Sequence, residues 1–142
     1  MVITPIVNDG RINRSKTTLN KIVAATISLL RKNNNGQIPT AQEIAVKSGV
    51  GIRTVFRHID DMEGLIEEVN RRYLNDLESY IAKNNPKQNS KDQRIEHVIK
   101  ERFYLYNTYQ HVFNLTITSL NNSSAIRTGF IKFNHILRQR FE

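Results

Sequence analysis

Residues 40–59 run Thr40-Ala-Gln-Glu-Ile-Ala-Val-Lys-Ser-Gly-Val-Gly-Ile-Arg-Thr-Val-Phe-Arg-His-Ile59. Thr40 and Glu43 stand at the spacing of a capping box: the hydroxyl accepts the N3 amide and the carboxylate reaches back to the cap. A short helix through Ile44, Ala45 and Lys47 follows, and Ser48-Gly49 stops it. Only Val50 separates Gly49 from Gly51, and Ile52–Ile59 then has the length of two further helical turns. Two short helices around a glycine-containing turn make a helix-turn-helix layout, in which the second helix enters the DNA major groove.

Upstream, Leu19, Ile22, Val23, Thr26 and Leu30 keep the spacing of one helical face, and Asn33-Asn34-Asn35-Gly36 closes that helix. Residues 1–14 lack periodicity and read as a flexible basic arm. Downstream, Asp60-Asp-Met-Glu63 supplies a second capping box, with Asp60 as the cap. Leu65, Ile66, Val69, Tyr73, Leu77, Tyr80 and Ile81 then mark a long amphipathic helix. Residues 84–92 (NNPKQNSKD) read as a linker. Ile95, Val98, Ile99, Phe103 and Tyr106 resume the helical spacing. From Val112 to Leu120 the pattern is ambiguous, because Phe113, Leu115 and Ile117 alternate with period two; helix is favoured, since no partner strand is visible. After Asn121-Asn-Ser-Ser124, Ile126, Phe130, Phe133, Leu137 and Phe141 form one apolar stripe.

The expected fold is therefore all-α, with about seven helices. A helix-turn-helix DNA-binding domain occupies 15–60 and a helical regulatory and dimerisation domain occupies 61–142.

The 142 residues carry 21 Lys+Arg against 13 Asp+Glu, a formal +8, and no cysteine. Absent cysteine excludes disulfides, thiolate zinc sites, iron–sulfur clusters and a cysteine nucleophile. No segment reaches the roughly 18 apolar residues of a membrane span, and no signal peptide is apparent, so a cytoplasmic protein is expected. Residues 1–60 hold nine Lys and Arg against Asp9, Glu43 and Asp60, which places +6 of the +8 there. A localised basic half is the electrostatic footprint of a polyanion binder, and also of an ordinary solvated basic face.

Within residues 52–59, Arg53 and Arg57 lie four apart on one face, each able to fork onto guanine O6 and N7. Ile52 suits a thymine methyl. Thr54 and His58 lie on the next face round, placed for phosphates, and Thr40 at a helix start suits a phosphate oxygen. Val50 and Val55 belong to the core that locks the two helices together.

Over about Thr17–Leu74 the sequence resembles the tetracycline-repressor (TetR) family of bacterial transcription regulators. The matching stretches are Ile22-Val-Ala-Ala25, Thr40-Ala-Gln-Glu-Ile-Ala45, Ser48-Gly-Val-Gly-Ile-Arg-Thr-Val-Phe-Arg-His-Ile59 and Met62-Glu-Gly-Leu-Ile66. By this resemblance Thr40, Thr54 and His58 correspond to phosphate-contacting positions. Gly51 stands where the family usually has a serine cap, Phe56 where tyrosine is common, and Met62 where lysine often opens the fourth helix. Arg53, Arg57 and the arm residues Arg11, Arg14 and Lys16 are the residues available to compensate. The resemblance implies a homodimer on palindromic double-stranded DNA, with half-sites roughly 34–36 Å or a multiple apart. It also implies a small-molecule effector in the C-terminal domain. Family members usually extend further, their last two helices building the dimer interface, so an abbreviated or truncated domain is expected.

Phe103, Tyr106, Phe113, Phe130 and Phe133 are candidates to line an effector pocket, or else ordinary core. His97 and Glu101, four apart, lack further ligands at metal-site spacing, and no metal or other cofactor is expected. His111 and His135 are isolated. No nucleophile–base pair, catalytic carboxylate pair or phosphate-binding glycine loop is present, so no enzyme is expected. The function expected is a sequence-specific DNA-binding regulator, a repressor released by a small molecule. The alternatives are an architectural or replication-associated DNA-binding protein and a helical protein-interaction module.

Overall fold

The computed structural model describes residues 9–33, 37–59, 61–84 and 90–139. It holds six helices among those residues: α1 (Asp9–Asn33), α2 (Ala41–Ser48), α3 (Ile52–His58), α4 (Met62–Lys83), α5 (Lys91–Ser119) and α6 (Ser124–Arg138). The all-α class expected from periodicity is what the chain adopts.

The short helices start and stop where local chemistry directs. Thr40 caps α2 with both arms of the capping box made, and Gly49 ends it at φ 67°, a left-handed conformation that costs glycine nothing. Gly51 starts α3 in an extended conformation, and with no side chain it offers no capping bond. Its carbonyl accepts from the amides of Thr54 and Val55.

Four boundaries differ from the sequence reading. Helix α1 begins at Asp9, so residues 9–14 of the expected arm are helical, and residues 1–8 lie outside the described residues. Arg14 Nε donates to the Gly10 carbonyl at 3.0 Å, and the hydroxyls of Thr17 and Thr18 fold back onto the carbonyls of Asn13 and Arg14. The cap of α4 is Asp61, whose Oδ1 accepts the Gly64 amide at 2.7 Å; the expected cap, Asp60, lies outside the described residues. At the end of the expected linker, Ser90 and Gln93 form a further capping box, so Lys91 and Asp92 are already helical. Finally, the two helices expected over 95–120 are a single one, α5, and the period-two stretch lies within it.

One apolar core joins all six helices. Ile22, Val23 and Leu30 of α1 meet Ile44 and Ala45 of α2 and Val55 of α3, and Leu65, Ile66 and Val69 of α4 pack with Val112, Leu115 and Ile126 of α5 and α6. Val50 packs against this cluster from the turn, as expected. Burying side chains of this size stabilises by roughly 1.5–3 kcal/mol each. Polar pins cross the same core. The Thr116 hydroxyl donates to Asn70 Oδ1, tying α5 to α4, while Asn70 Nδ2 donates to the Ile66 carbonyl. Ser123 Oγ, which caps α6, donates to Glu67 Oε1 of α4 at 2.5 Å. No helix among the described residues is long and apolar enough to cross a membrane.

Candidate nucleic-acid interface

Helix α3 has one face in the core and one in solvent. Val55 is fully buried, and Ile59 just beyond the helix is buried too, which holds α3 against α1 and α2. Arg53, Phe56 and Arg57 therefore point outward with Ile52, while Thr54 and His58 are half-buried at the flank. Seven residues suffice to bring the two arginines one helical turn apart on the exposed surface.

The N-terminal turns of α1 complete this surface. Arg11, Arg14, Ser15 and Thr18 of α1 line a groove of about 420 Å³ together with Arg57 and His58 of α3. Three guanidiniums and the Ser15 hydroxyl thus share one open groove, a composition matched to phosphate oxygens, while the Thr18 hydroxyl is spent on the Arg14 carbonyl. Arg11, Arg14 and Arg57 are brought together by the fold; Lys16 is exposed on α1 but not in the groove. Sequence reasoning missed Ser15 and Thr18. Had helix been assigned from Asp9, the spacing of Arg11, Arg14, Ser15 and Thr18 would have placed them on one face.

Thr40 is exposed at the start of α2, but its hydroxyl is occupied. It accepts the Glu43 amide and lies 2.8 Å from Glu43 Oε2, to which it donates. The same carboxylate accepts from the Thr40 amide at 2.7 Å, and these bonds hold the Glu43 carboxyl below the usual carboxylate range. A phosphate at Thr40 has to displace the hydroxyl's bond to Glu43 and meet a carboxylate of its own sign.

A second cavity lies in the C-terminal half. Tyr73 and Leu77 of α4, Arg102, Leu105, Tyr106 and Phe113 of α5, and Phe130, Phe133, Asn134 and Leu137 of α6 line a half-open cleft of about 320 Å³. The rings of Tyr106 and Phe113 meet edge to face at 6.1 Å, and Phe113 and Phe130 lie 6.5 Å apart. Burial, and then the neighbouring Tyr109, push the Tyr73 phenol up to about 12, so it remains a neutral donor throughout the physiological range. Four of the five aromatic pocket candidates are there. Phe103 is not: its side chain is 72% exposed, on an outer face of α5 with Ile95 and Ile99.

The histidines resolve differently. His111 is buried and accepts from Arg31; His97 Nε2 lies 3.1 Å from the Asn84 carbonyl; His135 is exposed beside Gln139. No group of three or more metal-ligating side chains occurs among the described residues. Compared with known proteins, the chain matches no family model and no curated protein sequence.

Proposed function

We propose that the chain is a sequence-specific DNA-binding transcription regulator of helix-turn-helix type, built like the tetracycline repressors and acting in the cytoplasm as a repressor. The observation that carries this reading is the basic groove in which Arg11 and Arg14 of α1 face Arg57 and His58 of α3, beside the outward Arg53. In it α3 is the recognition helix: Arg53 and Arg57 reach base edges, Ile52 meets a thymine methyl, and Thr54, His58 and the α1 side chains hold phosphates. Phe56 adds an apolar contact in the groove.

Two further parts of the reading rest on separate features. Tyr73 and Leu77 of α4 sit in the wall of the aromatic cavity, and only residues 59–61 separate α4 from α3. A small molecule entering that cavity presses on the helix whose other end positions the recognition helix, which supports release by an effector. The exposed stripe of Ile95, Ile99 and Phe103 on α5 supports a homodimer, since pairing two copies covers it and presents two recognition helices to a palindrome.

Selection from a random duplex pool at near-physiological salt tests the proposal. Enrichment of an inverted repeat is the expected outcome. Binding without enrichment makes the chain an architectural DNA-binding protein, and absence of salt-dependent binding makes it a protein-interaction module.

A further inference from the structure

Helix α5 has two apolar faces, and the chain's own core uses one. Val98, Leu105, Val112 and Leu115 are buried, whereas Ile99, Phe103, Tyr106 and Ile117 are exposed and Gln110 and Phe113 are half-buried. Those six outer residues follow one another by steps of four, three, four, three and four. That alternation is the a and d spacing of a heptad, the seam along which two helices pack knobs into holes. From Ile99 to Ile117 the seam runs about 27 Å at the rise of an α-helix. Apolar residues on a second face add nothing to the fold of one chain, and a continuous exposed stripe of them marks an interaction surface.

The charges of α5 say what lies on that surface and in which direction. Every Lys, Arg, Asp and Glu of the helix falls between Lys91 and Arg102, and residues 103–119 have none. Continued toward the N-terminus, the seam reaches Glu96 and Asp92. A parallel pair of α5 helices stacks each of these carboxylates on its own copy, where like charges repel. An antiparallel pair keeps them apart. With Thr108 at its centre, the reversed seam meets itself like on like: Ile99 against the partner's Ile117, Phe103 against the partner's Phe113, and Tyr106 against the partner's Gln110. The two-fold repeats each contact, as an isologous interface requires. The phenol and the amide match as donor and acceptor, and a single polar layer in an apolar seam fixes register. Sliding the pair by one heptad sets Ile99 against the partner's Gln110 and Glu96 against the partner's Phe113, which wastes both. Tyr106 and Phe113 also line the half-open cleft, so the partner helix runs along its rim.

We propose that α5 pairs antiparallel with α5 of a second copy of this chain along Ile99–Ile117, in the register centred on Thr108. This specifies the interface of the homodimer proposed above and rests on that reading for its consequence on DNA, though not for the pairing itself.

Sedimentation equilibrium of the full chain, without DNA, should show a dimer. Phe103→Glu should raise its dissociation constant at least about a hundredfold, since a charge then enters the centre of the seam twice. Phe103 is exposed, so an unchanged helical circular dichroism spectrum should accompany that loss. The chain has no cysteine, so introduced thiols report neighbours without background. Ile99→Cys chains mixed with Ile117→Cys chains should form a disulfide-linked dimer on mild oxidation, whereas neither should do so alone. A monomeric unaltered chain, or a dimer indifferent to Phe103→Glu, overturns the proposal. A disulfide-linked dimer from Ile99→Cys alone overturns the antiparallel register. Binding to a random duplex, measured alongside, separates the two readings. Salt-dependent duplex binding by a monomer removes the interface alone. The stated dimer without duplex binding sustains the interface and removes the regulator.

Discussion

Arg31 Nε, near the C-terminal end of α1, donates to Nε2 of His111 in α5 across 3.3 Å, which joins the helix bearing the basic groove to the helix bearing the aromatic cavity. The bond requires His111 to be neutral at Nε2. Burial first, and the Arg31 charge second, hold the imidazole below its ordinary range. The unfolded chain therefore takes up a proton at His111 before the folded chain does. The sign follows from that order: the stability is fully present above the unfolded value near 6.5 and is lost as pH falls through the window beneath it. Melting temperature should drop between pH 7.5 and 5.5, and His111→Gln should flatten that dependence. An unchanged slope in the variant would locate the pH sensitivity elsewhere.

The Asn70–Thr116 pin makes a second prediction, because both side chains are buried within the shared core. Thr116→Val keeps the shape of the side chain and removes the hydroxyl, leaving Asn70 Oδ1 without that donor. A buried acceptor so deprived costs roughly 1–3 kcal/mol. Urea denaturation should show that loss, and Asn70→Leu combined with Thr116→Val should recover part of it, since the polar pair is then removed together. A double variant no more stable than the single one would mean that Asn70 finds another donor.

The cap and stop of α2 and the buried face of α1 are legible in the sequence because each is written in residues close together, whereas the Asp61 cap of α4 and the Ser90–Gln93 box of α5 are not. Thr40 with Glu43, Gly49, and the Ile22–Leu30 face all act within one or two turns. The start of helix α1 is hidden in the sequence because its first turns bury nothing: residues 10–17 are all exposed, so no apolar period announces them. The continuity of helix α5 is hidden for the opposite reason. Val98, Leu105, Val112 and Leu115 are buried while Ile95, Ile99, Phe103 and Ile117 are exposed, so its apolar residues lie on more than one face. The same feature misplaced Phe103, which shares helical spacing with the cavity residues but faces outward. The groove of Arg11, Arg14 and Arg57 depends on packing between residues more than 40 apart in sequence, which no local pattern carries.

Glu43 gives a prediction of opposite sign to the usual one for an interface residue. Its carboxylate completes the cap of α2 and also sits where a phosphate would approach Thr40. Glutamine serves the same capping role without the charge. Glu43→Gln should therefore preserve the helix and tighten binding to any duplex at low salt, with the gain fading as salt rises. Thr40→Ala, by contrast, removes the cap itself and should cost about 1 kcal/mol of stability. Fluorescence anisotropy over a salt series, paired with thermal melts, reads both; weaker DNA binding by Glu43→Gln would show that the carboxylate helps the interface rather than opposing the phosphate.

Arg53 and Arg14 divide the proposed interface into reading and holding. Arg53 stands on the outer face of α3, away from the groove lining, whereas Arg14 lines the groove and is steadied by its bond to the Gly10 carbonyl. Arg53→Ala should relax preference at one base pair of the selected site, at a cost of roughly 1–3 kcal/mol on that site. Arg14→Ala should weaken all sequences alike and reduce the slope of log affinity against log salt by about 0.9, the value for one phosphate neutralised on B-form DNA. For Arg57, which is exposed on α3 and also lines the groove, the two readouts decide between the roles: a change at one base pair makes it a reader, and a uniform loss with a shallower slope makes it a phosphate contact. Should Arg53→Ala and Arg14→Ala give the same uniform loss, α3 would lie along the backbone and not in the major groove.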